Sequence, residues 1–443
     1  MLFTFVTMAY QRASYNPFNN VDKLCVLLYF VLVFMGWLNI YAAVYNEEHK
    51  NIFDLSQKYG KELIWIGTGA LLALLILVTE AGFFTVFAYV FYGIFLFLCL
   101  IVPFAGREIK GSRSWFGFGG FGIQPAEFMK FATNLALAKF LSNVNLRSEN
   151  VRRTGFLSFL GQYKNTIIAL LIIGIPLIII KKLQDETGLA LVFAAFVFTL
   201  YREGLSVNFL LVGLVAAILF VLALLVDNTY LFIIIGSLCA LTILFIRRSK
   251  RNIFLVALVG LMACVMVKGT STLYQKLEAH QKIRIDVLLG RGNINLKKEG
   301  YNVNQAKIAI GSGGFWGKGY LQGTQTKYDF VPEQDTDFIF CTVGEEWGFV
   351  GTTIVILLQL TLILKIVTMA ERQRSDFGRI YGYGVASALF FHLAINIGMT
   401  IGLAPVIGIP LPFFSYGGTS LWSFTILLFI FIKLDANRLL ILK

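Results

Sequence analysis

Long apolar runs separated by short polar turns fill most of this chain of 443 residues. A helix that crosses a bilayer needs about 20 mostly apolar residues, with about 17 as the lower limit. By this measure we predict twelve spanning helices, over residues 24–45, 62–79, 83–104, 126–144, 165–181, 187–202, 207–226, 229–246, 253–269, 338–367, 380–404 and 416–436. We therefore expect an all-α polytopic membrane protein in which residues 1–443 form a single integral membrane domain.

The composition excludes a soluble protein. Hydrophobic residues make up 57% of the chain and charged residues 14%, whereas roughly a quarter of the residues in soluble domains are charged. The net charge of +13 needs no nucleic-acid partner, because basic residues normally mark the cytoplasmic loops of membrane proteins. The five Cys lie in or beside apolar runs without a CxxC spacing, so we expect packing residues and not disulfides or metal ligands.

The basic residues also predict how the chain crosses the membrane. Clusters of Lys and Arg occur in segments 145–164, 247–252 and 369–379 and in the tail, which lie on one side if the N-terminus is cytoplasmic. Twelve spans then place both termini in the cytoplasm. Loops 105–125 and 270–337 fall outside and are also basic, which hints at an anionic ligand there. The second is the one long extracytoplasmic loop, and its apolar residues predict that it folds back against the helices.

The end of the long loop is rich in glycine. Five Gly between Gly311 and Gly319 would let the backbone approach a bulky ligand and could form an anion-binding nest, to which Lys318 would add a charge. A flexible connector would have the same glycine content.

Five acidic residues surround the start of the next apolar helix: Glu333, Asp335, Asp337, Glu345 and Glu346. Asp337 directly precedes Phe-Ile-Phe, so its carboxylate is predicted near a helix N-terminus at the outer membrane face. There it could act as a general base. A plain N-cap role for Thr336 or Asp337 is the competing interpretation.

The shorter outside loop combines bases with an aromatic ring. Arg107, Lys110 and Arg113, together with Trp115, could cradle a phosphate and stack on a sugar. Equally, they could be an interfacial aromatic anchor with snorkelling bases. In the helix that follows, Glu127 and Lys130 are three residues apart and can form an ion pair.

Prolines interrupt the chain again near its end. Pro405, Pro410 and Pro412 end one helix, and the turn at Ser415–Gly418 begins another. Broken helices at membrane depth are tolerated only where they are buried in protein or line a cavity.

Taken together, these stretches resemble the SEDS family, the shape, elongation, division and sporulation proteins of bacteria. The matching pieces follow the family's order over residues 106–420: Gln124–Glu127 with Lys130, Ala309–Gly314, Gly317–Gly319, Gly323–Gln325, Pro332–Phe340, Glu345–Glu346, Asn396–Met399 and Pro410–Gly418. The Gly323–Gln325 element favours the elongation (RodA) type. A further family motif appears as Gln184–Leu191, with Glu186 where the family usually has Asp.

The resemblance implies both an activity and a fold. Members of this family polymerise lipid II into peptidoglycan glycan strands at the outer face of the cytoplasmic membrane, in cell elongation and shape. They usually have ten spans, so the count of twelve implies an extra hairpin within residues 203–269. The partner implied is a class B penicillin-binding protein, the crosslinking transpeptidase, with MreC and MreD as further candidates from the elongation complex.

The resemblance also assigns residues. The family's essential Asp falls on Asp337, and its Trp falls on Trp115. Further substrate-binding candidates are Arg113, Lys110, Glu127, Lys130, Glu186, Lys318, Gln325, Glu333, Glu346 and Ser415. We expect Asp337 to take the proton of an attacking sugar hydroxyl, with inversion at the anomeric carbon.

Positive charge must meet the departing diphosphate. The candidates are Arg113, Lys110, Lys318 and Lys130, although Glu127 could instead hold Lys130 in place. A divalent cation, Mg²⁺ or Mn²⁺, could assist, with Glu333, Asp335 and Glu345 as conceivable ligands; no other cofactor is expected.

Two other functions are compatible with these residues. A lipid II flippase would need a polar path to both faces, whereas the predicted intramembrane charges cluster in the outer half. The second alternative is a non-catalytic scaffold for the penicillin-binding protein. The acidic cluster around Asp337 argues only weakly against it.

Overall fold

The computed structural model describes residue 18 and residues 20–45, 51–109, 112–118, 121–144, 146, 163–246, 249–290 and 300–439. The helices in these ranges are α1 Lys23–Ala43, α2 Lys58–Val78, α3 Ala81–Val86, α4 Ala88–Ala105, α5 Pro125–Ser142, α6 Lys164–Leu183, α7 Thr187–Val192, α8 Phe196–Arg202, α9 Val207–Leu225, α10 Asn228–Phe245, α11 Lys250–Lys276, α12 Ala279–Leu289, α13 Tyr301–Gly313, α14 Ile339–Glu371, α15 Asp376–Thr400 and α16 Gly418–Ala436. This order confirms the predicted helical membrane fold.

Ten helices in the described ranges are long and apolar enough to cross a membrane, so the predicted count of twelve is not confirmed. The two remaining predicted spans are also helical, but each departs from a regular apolar helix. The first is α5, which carries Glu127 and Lys130. The second is divided into α7 and α8 by a 3₁₀ turn over Phe193–Ala195.

The chain divides into two compact units. One comprises residues 1–204 and 302–443, and the other comprises residues 205–301. The single membrane domain stays a prediction, because compactness within each unit does not decide whether both lie in one bilayer.

Helix α5 lies at the centre of the first unit, where it packs against α4, α6, α15 and α16. Three of its polar side chains point into the protein: Glu127 is 3% exposed, and Lys130 and Asn134 are fully buried. The low hydropathy of this helix is therefore compatible with membrane depth, because its polar groups meet other helices and not lipid.

The second unit contains α9–α12, of which α9, α10 and α11 enclose a small apolar core. Ala223, Leu231, Ile235 and Val267 form this core, and Asn228 bonds to Ser271 across it at 2.8 Å. Helices α9 and α10 form a hairpin inside residues 203–269, the region in which an extra hairpin was predicted. Most of their large apolar side chains are exposed, as expected of helices that face lipid.

The long loop folds back over its described second half, as predicted. Helix α13 packs its Ala306 and Ala309 against Phe338 and Cys341 at the beginning of α14. At the closest approach Gly313 lies against the backbone of Gly344 and Glu345. Helices α11 to α13 occupy much of what was predicted to be a loop from residue 270.

A three-stranded antiparallel sheet was not predicted. It consists of β1 Arg107–Ile109, β2 Ser112–Phe118 and β3 Phe121–Ile123. Trp115 pairs with Arg107, and Phe116 pairs with Ile123. Ser112–Phe118 shows no regular alternation of polar and apolar residues, so the period of a strand was not visible there, and its Arg113 and Trp115 were interpreted as a phosphate and sugar site or as an interfacial anchor. All five Cys are free, as predicted.

We predict that Gly313→Ala weakens the contact between α13 and α14. A Cβ at this position would lie 2.0 Å from the carbonyl oxygen of Gly344, so the helices must separate. The free energy of unfolding should fall by about 1–3 kcal/mol, as measured by denaturant unfolding in detergent. Gly311→Ala is the matched control, since a Cβ there meets nothing within 4 Å; equal effects of the two changes would contradict the close approach.

Candidate functional site around Asp337

Asp337 lies where two separate family motifs meet. The side-chain amide of Asn396 donates to the carbonyl oxygen of Asp337 at 2.8 Å and to that of Ile409 at 2.7 Å. A Cβ built on Gly408 would lie 3.2 Å from Oδ2 of Asp337, so this carboxylate rests against the backbone of Gly408, whose φ is +68°. The N-cap of α14 is Phe338, which removes the simple capping role considered for Thr336 and Asp337.

The motif around Glu186 reaches the same segment from another side. A Cβ on Gly188 would lie only 2.1 Å from the carbonyl oxygen of Ile407. Oε1 of Glu186 accepts a hydrogen bond from Ser114 at 2.8 Å and another from Gln124 at 3.4 Å. Residues 407–408 thus lie between Asp337 and the Glu186 motif. Strand β2 contacts the same motif through the hydrogen bond of Ser114 to Glu186.

The predicted pair of Glu127 and Lys130 is present. Their charged atoms are 2.7 Å apart, and both side chains are almost fully buried. Nζ of Lys130 also lies 4.0 Å from the centroid of the Phe424 ring and 3.3 Å from Nε2 of His392. Lys130 is therefore held inside the helical bundle. This arrangement corresponds to the alternative interpretation of the sequence, in which Glu127 keeps Lys130 in place.

Glu345 organises the glycine-rich loop. Its carboxylate accepts from Lys318 at 2.6 Å and from the backbone N–H groups of Thr324, Gln325 and Thr326 at 2.8, 2.9 and 2.9 Å. Lys318 thus has a structural partner, and Gln325 contributes its main chain to this cluster. The loop is held by these bonds, which removes the flexible-connector interpretation.

Three further predicted residues have local structural roles. The carboxylate of Glu333 accepts from the Thr336 hydroxyl at 3.1 Å. Glu346 is buried and its carboxylate accepts from the main chain of Leu321 and Gly323. The Ser415 hydroxyl accepts from the backbone N–H of Leu411 at 2.9 Å, and so closes the turn after Pro410.

The basic residues of loop 105–125 lie on the sheet. Nε of Arg113 is 3.2 Å from Oε2 of Glu108, and both side chains are more than half exposed. The Trp115 ring lies against Gly122, where a Cβ would come within 2.9 Å of it. Lys110 lies outside the described residues.

Sequence analysis missed a cluster next to Asp335. Nζ of Lys58 is 2.7 Å from Oδ2 of Asp335, and the backbone N–H of Tyr416 donates to the carbonyl oxygen of Asp335 at 2.9 Å. Burial, with Glu62 and Asp335 nearby, raises the pKa of Tyr416 to about 12, so its hydroxyl stays a neutral donor. The available signal was the charge of Lys58 and Glu62, one turn apart at the start of an apolar helix.

A divalent cation stays a prediction. In the described ranges no three His, Cys, Asp or Glu side chains come together as a metal-binding group. Of the conceivable ligands, Asp335 pairs with Lys58 and Glu345 with Lys318. The three carboxylates suggested by their spacing, Glu333, Asp335 and Glu345, therefore do not form a ready ligand set.

Comparison with known proteins places this arrangement in context. The chain matches the FtsW/RodA/SpoVE family, described as cell cycle proteins, over residues 22–232 and again over 209–439. The two matches overlap inside the region of the predicted extra hairpin.

Among curated relatives, the peptidoglycan glycosyltransferase RodA of Treponema pallidum is 31% identical over 95% of this chain and 99% of its own length. The peptidoglycan glycosyltransferase MrdB of Escherichia coli is 31% identical over 74% of this chain and 72% of its own.

Solved structures have the same fold. A chain of a peptidoglycan synthase complex that coordinates polymerization and crosslinking aligns with a TM-score of 0.66 at 24% identity, over 94% of this chain and 98% of that one. The rod shape determining protein RodA of Thermus thermophilus aligns with a TM-score of 0.58 at 24% identity, over 94% and 97%.

We predict that Glu345→Gln loosens the loop that Glu345 holds. The amide would place a donor where the carboxylate now accepts main-chain N–H groups, and bonds to a charged acceptor are worth about 1.5–3 kcal/mol. Hydrogen exchange at Thr324, Gln325 and Thr326 should accelerate roughly tenfold or more. The N–H of Gly319, which bonds to the main-chain oxygen of Glu346, is an internal control. Unchanged exchange at all three amides would show that the carboxylate does not hold the loop.

Proposed function

The chain belongs to the FtsW/RodA/SpoVE family, and from this premise we propose that it polymerises lipid II into glycan strands at the outer face of the membrane, with Asp337 as the general base. It is a multi-pass protein of the bacterial cytoplasmic membrane and a peptidoglycan glycosyltransferase that serves cell elongation. The observation that carries the assignment of Asp337 is the convergence of the segments around residues 186, 337 and 408.

The reaction needs a general base and a positively charged group that stabilises the leaving diphosphate. The 4-hydroxyl oxygen of the acceptor sugar attacks the anomeric carbon of the donor and loses its proton to Asp337. The bond from that carbon to the diphosphate breaks, and the diphosphate leaves with the electron pair. Attack opposite an α-linked diphosphate inverts the carbon to a β-linkage. A positioned base contributes about 10²–10⁴ in rate.

Among the proposed cations, Arg113 best suits the leaving group. Lys318 and Lys130 are in ion pairs with Glu345 and Glu127, whose carboxylates are buried. Arg113 pairs with Glu108 at an exposed position, where an ion pair contributes only about 0–1 kcal/mol. A diphosphate could therefore replace Glu108 at small cost, and a guanidinium can bind it through two parallel hydrogen bonds. A Mg²⁺ or Mn²⁺ ion carried in with the diphosphate is part of the proposal.

The proposed partner is a class B penicillin-binding protein that crosslinks the new strands. The fold shared with a chain of a complex that couples polymerization and crosslinking supports this partner. MreC and MreD are proposed as further members of the assembly because the relatives are of the elongation type.

We predict that Asp337→Asn abolishes polymerisation while the protein still folds and inserts. The amide keeps the shape of the side chain but cannot accept the proton, so the rate should fall by about 10²–10⁴. Glycan length would be followed by gel electrophoresis with purified protein and labelled lipid II. Asp329→Asn is the control. Oδ1 of Asp329 accepts a hydrogen bond from the side-chain amide of Gln334, and the amide oxygen of Asn can accept the same bond. Polymer formation by Asp337→Asn at the wild-type rate would overturn the assignment.

We also predict that Arg113→Lys lowers kcat and leaves KM for lipid II nearly unchanged. The reason is that additional negative charge develops on the diphosphate as it leaves in the transition state, where a planar guanidinium binds better than an ammonium. Lys318→Arg, measured beside it, should have the smaller effect on kcat because Glu345 holds that position. Unchanged kcat in both variants would remove both residues from the leaving-group site.

A further inference from the structure

Two residues on one face of α15 hold the segment that lies against Asp337. Asn396 donates to the carbonyl oxygen of Ile409, and His392, one turn earlier, places its Nδ1 atom 3.1 Å from the carbonyl oxygen of Pro410. His392 is fully buried. The proposed reaction gives His392 no role.

The neighbours of His392 determine its tautomer. The Pro410 carbonyl can only accept, so Nδ1 must carry the proton. In a neutral ring Nε2 then has a lone pair, and it faces the ammonium group of Lys130 at 3.3 Å. An imidazolium would instead point an N–H at that ammonium. His392 therefore accepts from Lys130 and donates to Pro410, and it joins the Glu127–Lys130 pair to the segment that carries Gly408.

Only a few residues separate His392 from the proposed general base, Asp337. Pro410 is two residues from Gly408, and Gly408 lies against Oδ2 of Asp337. The other side of residues 407–408 is fixed by Gly188. A displacement of about 1 Å in the groups that position a reaction can lower the rate about 10²-fold.

We propose that His392 is a positioning residue for glycosyl transfer, which holds residues 407–410 against Asp337 through Pro410 and anchors them to the buried Glu127–Lys130 pair. The inference rests on the proposed function. His392 does not touch the reacting atoms, and it acts through the segment that Asp337 contacts. The competing role is that of a core histidine whose bonds stabilise the helical bundle and nothing else.

Three substitutions separate the two hydrogen bonds of His392. Asn places an amide near the position of Nδ1 and can still donate to Pro410. Gln places its amide near the position of Nε2 and loses the bond to Pro410. Phe keeps a ring at this position but makes neither hydrogen bond. We expect His392→Asn, which keeps the bond to Pro410 and loses the contact with Lys130, to retain more of the wild-type kcat than the other two variants. His392→Gln and His392→Phe should lower kcat by about ten- to a hundredfold, with KM for labelled lipid II within twofold of wild type. If the Phe variant does not fold, the Gln variant carries the same expectation.

Asn134→Ala is the matched control. Asn134 is fully buried and ties α5 to α15 through the carbonyl oxygen of Tyr381 at 2.9 Å, but it does not reach residues 407–410. It should lower the midpoint of thermal unfolding and leave kcat unchanged. A kcat in His392→Gln equal to wild type, a change mainly in KM, or an equal loss of kcat in Asn134→Ala would each overturn the positioning role.

Wild-type protein and Asp337→Asn belong in the same assay. If the wild-type protein forms no glycan polymer, the proposed function itself fails. If wild type is active, Asp337→Asn is inactive and the His392 variants equal wild type, then only the inference on His392 fails.

Discussion

Lipid offers no hydrogen-bond partner to a main chain, and this constraint governs how the first unit can build an irregular site at membrane depth. Two non-helical segments of this unit, 324–326 and 407–411, pair backbone groups with side chains. Glu345 accepts three consecutive N–H groups at Thr324–Thr326. Asn396 donates to two carbonyl oxygens, and Ser415 accepts the N–H of Leu411. The bonds of Asn396 fix Asp337 most directly, because they hold its own carbonyl oxygen and the segment whose Gly408 lies against its carboxylate.

Paired charges allow the unit to bury polar groups that a bilayer would exclude. The carboxylates of Glu127, Glu345 and Asp335 are buried and pair with Lys130, Lys318 and Lys58, but only in the Glu127–Lys130 pair is the ammonium group fully buried as well. Removing one member of a buried pair leaves an unpaired charge, at a cost of about 3–5 kcal/mol, whereas an apolar pair of similar volume can be equally stable. Such pairs are therefore better understood as devices that fix position than as sources of stability.

Local patterns predicted the features that depend on neighbouring residues. The apolar runs predicted the helices, and the three-residue spacing predicted the pair of Glu127 and Lys130. Contacts between residues far apart in the sequence could not be predicted in this way. Lys58 and Asp335 are 277 residues apart, and Lys318 was interpreted as a cation for the ligand because nothing local indicates that its loop returns to Glu345. The small sheet was missed because its strands, one of seven residues and two of three, lie between two long apolar helices that dominate the pattern.

The same bonds favour an enzyme over a lipid II flippase. A flippase must open a polar path first to one face and then to the other, so the polar groups that line it have to exchange partners during the cycle. The side chains of Asn396 and Ser415 are instead committed to buried main-chain groups of Ile409 and Leu411, and breaking either contact would leave a buried backbone group without its partner. A site that cannot rearrange cheaply is poorly suited to transport. It is well suited to catalysis, where groups held in place before the reaction need no reorganisation as charge develops on the departing diphosphate.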